Sequence, residues 1–169
     1  MSPSTSKARP LDARRLAAYT CNMSAELKHP VVVPCLCGDL RKASRAVSRF
    51  YDDELRDLGL RTTQYSLLYV LRRCGEVRQR DLAELTLHDE TTLTRNLRPL
   101  IYARWIAVQT GEDRREKWLK ITAAGVAKLD EARPAWERAQ ARMQALLPEG
   151  TWQSLQAILP EVATLTAAT

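Results

Sequence analysis

The chain has 169 residues, of which 45% are apolar and 27% are charged, a composition typical of one globular domain with or without appended helices. Its formal net charge of +6 favours a polyanionic partner. No apolar run approaches the roughly 18 residues that a membrane span needs, and the N-terminus has no apolar stretch typical of a signal peptide, so we expect a cytoplasmic protein whose cysteines are reduced thiols.

The first part of the chain divides into an arm and a helix. Residues 1–34 contain several prolines and few large apolar side chains before Val31, which predicts a loosely held N-terminal arm. From Leu36 to Leu58, apolar residues recur at helical spacing, and Gly59 follows in the place of a C-terminal glycine cap. This pattern predicts a first amphipathic helix.

A second helix and an extended segment follow. Thr62 or Thr63 is expected to cap a helix that runs from Gln64 to about Arg72. Residues Glu76–Arg78 then have an extended pattern, and they are placed to add a third strand to a hairpin that comes later in the chain.

The next segment has the pattern of a helix-turn-helix. Gln79–Leu85 is expected to be a short helix whose apolar contacts are Leu82, Ala83 and Leu85. Asp89 offers an N-cap, with an acidic first turn, for a longer helix that runs to about Tyr102. The buried stripe of that helix is expected to comprise Leu93, Leu97, Leu100 and Ile101.

The longer helix would expose a set of hydroxyl and guanidinium groups: Thr91, Thr92, Thr94, Arg95 and Arg98. Short hydroxyls and arginines on one exposed face suit contacts with phosphates and base edges. The alternative is the solvated face of an ordinary amphipathic helix, which is the commoner case for one helix alone. The hairpin that follows favours the first interpretation.

That hairpin consists of two strand-like runs, Trp105–Gln109 and Lys117–Ile121, joined by a charged turn at Gly111–Arg115. The second run continues through Thr122 into a helical pattern. Two strands with a basic tip and a helix behind them are typical of the wing of a winged helix. An arginine on such a tip is well placed to enter a DNA minor groove.

Two further helices are predicted after the wing, from Ala123 to about Leu147, with a kink at Pro134, and from Thr151 to about Thr166. Together with the first helix they carry more apolar residues than a monomer of this size needs to bury. We therefore expect a symmetric homodimer in which these helices cover one another. The alternative is a monomer whose helices close on themselves.

Four segments of this arrangement resemble the multiple-antibiotic-resistance regulator (MarR) family of winged-helix repressors. They read L-R-T-T-Q-Y-S-L-L at 60–68, D-L-A-E-L at 81–85, D-E-T-T-L-T-R-N-L-R-P-L at 89–100 and D-R-R-E-K-W-L-K-I-T-A-A-G at 113–125. The last segment matches the family's wing signature, an Asp and an Arg two apart followed by Leu-x-Leu-Thr-x-x-Gly, with Ile121 in the second leucine place. The resemblance covers about Cys35 to Leu165.

The resemblance implies a homodimer on an inverted repeat of double-stranded DNA, whose binding is typically weakened by a bound ligand or by oxidation. It makes Arg115 the wing-tip arginine for the minor groove, with Arg114 beside it and Asp113 as the orienting partner. It places Arg98 near phosphate and, at the major groove, Thr91, Thr92, Thr94 and Arg95. Glu90 departs from the family, whose members often have a basic or small residue there. A carboxylate repels phosphates, although it can accept from a cytosine amino group.

The fold class that follows is mainly α with a small β-wing. We expect an N-terminal arm at 1–34, a helical dimerisation region formed by 35–60 and 123–169, and a winged helix-turn-helix DNA-binding domain at 61–122. The expected function is that of a ligand-responsive transcriptional regulator in the family's usual role of repressor.

The expected ligand is a small aromatic or phenolic carboxylate, bound where the dimerisation helices meet the winged helix. A guanidinium pairs with a carboxylate, and tyrosine rings supply apolar contact. The candidate residues, from the polar side of the first helix and from one turn of the second, are Arg41, Ser44, Arg45, Ser48, Tyr65 and Tyr69. The alternative is that the tyrosines belong to the core and the arginines to a solvated face.

A thiol-sensing regulator, responding to peroxide or an electrophile, is the alternative mechanism. Cys35 and Cys37 lie at the start of the first helix, where a helix dipole can favour a thiolate. The distance of Cys37 from the end of that helix is similar to peroxide-sensing members of the family, and Tyr51 falls where they keep one tyrosine, although two others are missing. Cys21 and Cys74 are expected to be buried or incidental thiols.

No metal site, cofactor or enzyme is expected. The soft ligands Cys21, His29, Cys35 and Cys37 lack the defined spacing of a zinc site. The chain also has no Gly-rich phosphate loop, H-E-x-x-H or G-x-S-x-G motif. A thiol peroxidase using Cys37 with Cys35 is the one enzymatic alternative. Catalytic turnover of peroxide, as opposed to stoichiometric oxidation coupled to DNA release, would support it.

Overall fold

The computed structural model describes residues 35–113 and 116–167, so the predicted arm at 1–34 lies outside the described residues. The chain divides into two compact units, 1–39 and 40–169, and of the first unit only the start of one helix, at 35–39, is described. The helices are α1 (Leu36–Leu55), a short 3-10 helix (Arg56–Leu58), α2 (Thr62–Cys74), α3 (Gln79–Thr86), α4 (Glu90–Tyr102), α5 (Ala123–Leu146) and α6 (Thr151–Ala167). The strands are β1 (Val77–Arg78), β2 (Ile106–Thr110) and β3 (Lys117–Ile121).

The fold is mainly helical around a small sheet, as predicted, and it is held together by leucines. The side chains that expose 2% or less of their surface include Leu55, Leu68, Leu71, Leu82, Leu93, Leu97, Leu100, Leu119 and Leu129. They come from α1 to α5 and from β3, so all of these elements share one apolar cluster. Burial of each leucine side chain contributes about 1.5–3 kcal/mol, which makes this cluster the main source of stability.

Two residues predicted to be buried are exposed instead, Leu85 at 61% and Ile101 at 37%. Successive residues on an α-helix are turned by about 100°. Leu85 is therefore rotated away from the face of α3 that buries Leu82 and Ala83. Ile101 likewise lies at the edge of the α4 face that is centred on Leu97.

Helix α2 begins at Thr62, so Thr62 and Thr63 are its first residues and not its caps. The backbone N–H of Thr62 donates to Asp52 Oδ1 of α1 at 2.6 Å, and the N–H of Arg61 donates to Gln64 Oε1 at 2.9 Å. A carboxylate from α1 thus satisfies one of the amides that a helix leaves free at this end. The predicted threonine cap was wrong because the capping group comes from 10 residues upstream.

The three strands form one antiparallel sheet in the order β1-β3-β2. Val77 of β1 pairs with Leu119 of β3, which confirms the predicted third strand. Strand β2 begins at Ile106, one residue later than predicted. The reason is that Trp105 still belongs to the turn after α4, in which its N–H donates to the Leu100 carbonyl at 2.9 Å and Arg104 has a φ of 60°.

The junction between the wing and α5 depends on close packing. The Thr122 hydroxyl donates to the Arg104 carbonyl at 2.8 Å and accepts from the Gly125 N–H at 3.0 Å, which caps α5. A β-carbon on Gly125 would stand 2.2 Å from the Trp105 carbonyl oxygen, so a larger residue cannot fit without a shift of the backbone. The Thr-x-x-Gly part of the wing signature is therefore explained by packing between backbones.

Helices α5 and α6 follow the wing as predicted. Helix α5 continues without interruption through Pro134 and buries Leu129, Ala132 and Ala139. Helix α6, by contrast, leaves large apolar side chains exposed: Leu155, Ile158, Leu159 and Leu165. In the part of the chain that the structure describes, no helix is both long and apolar enough to cross a bilayer.

Candidate nucleic-acid interface

Helix α4 begins at the N-cap that the sequence predicted. The Asp89 carboxylate accepts from the backbone N–H of Thr92 at 2.8 Å. Hydrogen bonds from the hydroxyl and then the amide of Thr92 lower the pKa of Asp89. The cap is therefore negatively charged at neutral pH, which suits the positive end of the helix dipole and holds the first turn of α4 in place.

The outward face of α4 is polar. Thr91, Thr94, Arg95 and Arg98 are exposed, and Thr92 is half-buried beside the cap. The leucines of the same helix occupy the opposite, buried face. One side of α4 thus presents hydroxyl and guanidinium groups, which can donate to phosphates and to the edges of bases.

The wing is the β2–β3 hairpin, and it packs next to α4. The Gly111 N–H donates to the Glu116 carbonyl at 2.9 Å, and the Glu116 N–H donates to the Asp113 carbonyl at 2.8 Å. These bonds close the end of the hairpin. Asp113 is exposed, whereas Arg114 and Arg115 lie outside the described residues.

Two neighbouring residues that no sequence pattern marks for DNA make long-range contacts here, one within the helix-turn-helix and one with the wing. Gln79, the first residue of α3, donates through Nε2 to Thr94 Oγ1 of α4 at 3.1 Å. Its neighbour Arg78 pairs with Glu116 of the wing at 3.3 Å, and the Arg78 guanidinium lies 5.0 Å from the centroid of the Trp118 ring. No local pattern in the sequence reveals these partners, because the fold brings each of them in from a distant segment.

A cleft of about 610 Å³ lies between the start of α4 and the wing. Three cations line it, Arg78, Arg80 and Lys117, together with three carboxylates, Asp81, Glu90 and Glu116. Its charge is therefore mixed, and any attraction for phosphate depends on where single cations stand and not on a broad positive field. The Glu90 carboxylate, which departs from the family pattern, faces this cleft.

The residues expected to hold an aromatic acid are only partly brought together. The polar side of α1 carries Arg41, Ser44, Arg45 and Ser48. Tyr65 is buried and stacks on Trp136, with ring centroids 5.6 Å apart and planes at 15°, and burial raises the pKa of Tyr65. Tyr69 is half exposed, at 51%. Among the described residues, no hydrogen bond joins either tyrosine to the polar side of α1, so Tyr65 belongs to the core as the alternative interpretation expected.

The thiols are accessible where the structure describes them. Cys35 and Cys37 are exposed at the start of α1. Cys74 is exposed too, at the last residue of α2, so of the two expectations for this thiol, buried or incidental, burial does not hold. Cys21 lies outside the described residues. The Tyr51 hydroxyl donates to a glutamine of α5 at 2.8 Å, and burial raises the pKa of Tyr51. Residues 35–113 and 116–167 contain no group of His, Cys, Asp and Glu side chains suited to a metal ion.

The known proteins that are similar to this chain in fold or sequence are transcriptional regulators. The crystal structure of the M. tuberculosis transcriptional regulator MosR in complex with DNA matches with a TM-score of 0.71 and 33% identity, over 79% of this chain and 97% of MosR. A MarR-family transcriptional regulator from Rhodococcus sp. RHA1 matches with a TM-score of 0.65 and 22% identity, over 77% of this chain and 96% of its own.

One curated relative agrees with these structures. YwoH of Bacillus subtilis, an HTH-type transcriptional regulator, is 28% identical over 96 residues, which are 57% of this chain and 70% of YwoH. No protein-family model matches the chain. The similar proteins are transcriptional regulators and not enzymes, in agreement with the expectation from the sequence.

Proposed function

The chain belongs to the MarR family of winged-helix DNA-binding regulators, and from this premise we propose that it is a ligand-responsive repressor that binds a pseudo-palindromic operator as a homodimer. A small aromatic or phenolic carboxylate is the signal that releases it. Because an operator is chromosomal DNA, the compartment we propose is the cytoplasm. The observation that carries the proposal is the exposed face of α4, where Thr91, Thr94, Arg95 and Arg98 lie beside the wing.

In the proposed complex, α4 enters the major groove and the wing tip enters a neighbouring minor groove. Arg95 and the threonines of α4 contact base edges, and Arg98 contacts a phosphate. Arg115 reaches into the minor groove with Arg114 beside it, while Asp113 orients the arginine. The exposure of the α4 residues and of Asp113 supports these roles, as does the N-cap that holds the first turn of α4.

The proposed homodimer follows from the apolar surface of α6. Leu155, Ile158 and Leu159 are exposed, and Leu165 is exposed to 72%. Apolar surface of this kind marks interfaces, and each leucine that becomes buried contributes about 1.5–3 kcal/mol. We propose that residues 35–60 and 123–169 form the dimerisation region, that 1–34 is an arm, and that 61–122 reads DNA. A two-fold dimer would present two readers to half-sites about one helical turn apart.

The proposed ligand site lies on the polar side of α1. Arg41, Ser44, Arg45 and Ser48 are spaced so that they share one side of the helix. Two arginines with serine hydroxyls can hold a carboxylate and a phenolic oxygen. The half-exposed ring of Tyr69 supplies apolar contact, and Tyr65 supports it from the core.

A thiol-sensing regulator is the second candidate, and the exposure of both Cys37 and Cys35 favours it. Peroxides oxidise an accessible cysteine first to a sulfenic acid. In this mechanism oxidation of Cys37, and not a carboxylate, weakens binding to DNA. The two candidates share the same DNA-reading surface and differ only in the signal.

The test is a titration of the purified protein, at fixed salt, against labelled DNA from upstream of its own gene and against an unrelated duplex. We expect a preference of about 10³-fold or more for the upstream DNA. Equal and weak binding to both duplexes would contradict the proposal. Adding salicylate or hydrogen peroxide then separates the signals, because release by peroxide that is lost in Cys37→Ser supports the second candidate.

A further inference from the structure

The hydrogen bond between Gln79 and Thr94 fixes which group donates and which accepts at one position on the exposed face of α4. We propose that Gln79 is a specificity-determining residue that positions the Thr94 hydroxyl, and that the two side chains together recognise an adenine in the major groove. This inference rests on the proposed function, because it requires α4 to enter that groove.

The polarity follows from the donors and acceptors of the two groups. Nε2 of Gln79 donates to Oγ1 of Thr94 at 3.1 Å, so the threonine oxygen is the acceptor. A hydroxyl has one hydrogen to donate, and here that hydrogen stays available for another group. Oε1 of Gln79 stays available as an acceptor. The second hydrogen on Nε2 of Gln79 is also available, so the bonded pair offers the threonine hydroxyl and one amide hydrogen as donors beside a single acceptor, Oε1.

Adenine is the base whose major-groove edge complements such a pair. It presents an acceptor at N7 and a donor at N6. Guanine presents two acceptors, cytosine one donor, and thymine one acceptor and a methyl group. Guanine and thymine offer no donor to Oε1 of Gln79, and cytosine offers no acceptor to the Thr94 hydroxyl, so only adenine supplies a partner to both groups. Because an unsatisfied polar group in a desolvated interface is costly, the pair discriminates in favour of adenine.

The position of the pair allows a base to approach it. Thr94 is exposed and Gln79 is half-buried. Together with Lys117 of β3, both residues line the cleft of about 610 Å³ and an adjoining cleft of about 230 Å³, whose other walls are mainly apolar side chains of α4 and β2. The Gln79 amide thus comes from α3 and the Thr94 hydroxyl from α4, and both residues line the space next to the wing.

The experiment replaces each base pair of one operator half-site in turn. Affinities for every duplex are measured for the wild type, Gln79→Ala, Thr94→Val and the double variant. We expect the wild type to prefer an A·T pair at one position by roughly tenfold. Both single variants should lose that preference at that position, and the double variant should be no worse than either, because the two side chains act as a unit. The dependence of affinity on salt should stay unchanged, since Gln79 and Thr94 are uncharged and no cation is removed.

Two further variants sharpen the test. Gln79→Glu keeps the size of the side chain but can only accept, so Thr94 must turn its hydrogen towards it and the adenine preference should again be lost. Thr91→Val is the matched control, because Thr91 is exposed on the same helix and has no hydrogen bond with Gln79; its effect should add to that of Gln79→Ala. Circular dichroism and thermal melting confirm that each variant is folded.

The opposite results are equally clear. Additive losses between Gln79 and Thr94 would mean that the two side chains act independently, and a uniform loss on all duplexes would mean that Gln79 contacts the DNA backbone. Either result would overturn the inference. An adenine preference that survives in both single variants would overturn it as well. If the wild type showed no preference for any operator, the proposed function would fall and this inference with it.

Discussion

A β-carbon on Gly125 would stand only 2.2 Å from the carbonyl oxygen of Trp105. The base of the wing and the first turn of α5 therefore meet backbone to backbone. The same oxygen accepts from the N–H of Thr122 at 3.0 Å. These contacts set the direction in which the wing leaves the helical part of the protein.

Gly125→Ala is therefore expected to lower the free energy of unfolding by about 3 kcal/mol or more, because the added methyl group overlaps a backbone atom that cannot move alone. Urea unfolding measures this. Gly38→Ala is the matched control, since its β-carbon would meet nothing closer than 3.8 Å, and helix propensity should make it neutral or stabilising by up to about 1 kcal/mol. Equal effects of the two changes would show that the Trp105 contact is unimportant.

The stability that Asp89 adds to the start of α4 should depend on pH in the acid range. Its pKa is lowered by Thr92 in the folded chain, so its contribution to stability is complete above the unfolded-state pKa of about 3.9. The contribution is lost as the pH falls through the lower folded-state value. Asp89→Asn can still cap the helix but has no charge, so the difference in unfolding free energy between wild type and Asp89→Asn should shrink as the pH is taken from about 5 to about 2.

Asp89→Ala removes both the cap and the charge, and it provides the control for the preceding measurement. At neutral pH it should be less stable than Asp89→Asn, because the free amides at the start of α4 lose their acceptor. Its binding to the operator should be weaker too, since the first turn of α4 carries Thr91 and Thr92. Equal stability of the two variants at neutral pH would rule out the cap.

Arg115 and Arg95 are expected to differ in the kind of contact they make. Arg115→Ala should weaken binding to every duplex and reduce the slope of log affinity against log salt by about 1, because it removes a minor-groove cation. Arg95→Ala should instead change which base is preferred, at a cost of about 1–3 kcal/mol for one base contact. Salt titrations on the operator and on an unrelated duplex distinguish the two. Uniform losses for both variants would contradict the assigned roles.

Arg45 is expected to act on the signal and not on DNA. Arg45→Ala should leave operator affinity intact and raise the concentration of aromatic carboxylate needed for release, because the guanidinium that pairs with the carboxylate is gone. Competition binding with salicylate measures both quantities. Arg56→Ala is the control, since Arg56 lies in the 3-10 helix that follows α1, pairs with Asp53 and should not affect release. An unchanged response in Arg45→Ala would remove this residue from the ligand site.

The elements predicted correctly are those whose causes are local in the sequence. Helix α4 was found from the spacing of its leucines and from Asp89, which caps it three residues before its partner Thr92. The wing was found from two short strands and the charged turn between them. In each case the residues that determine the structure lie within one or two turns of one another.

The features missed depend on contacts between distant segments. Asp52 caps α2 from α1, and Gln79 binds Thr94 across the helix-turn-helix. No periodicity marks either contact, since only the folded chain decides which surfaces meet. The motif at Thr122 and Gly125 was visible in the sequence, but its physical reason, the approach of the Trp105 carbonyl, was not.

The buried leucine cluster limits how the DNA-binding domain could be exchanged between two proteins of this architecture. Leu55 and Leu60 before α2, and Leu129 and Ala132 of α5, belong to the same cluster as the leucines of α4, and Asp52 adds the cap of α2. Chimaeras spliced at residues 61 and 122 would therefore leave behind five of the 17 buried residues of this core, namely Leu55, Leu60, Leu129, Ala132 and Ala135. Splice points before the last turn of α1 and in the second half of α5 keep the cluster whole. New operator preferences in this architecture are then more easily acquired by substituting surface residues in place than by shuffling modules.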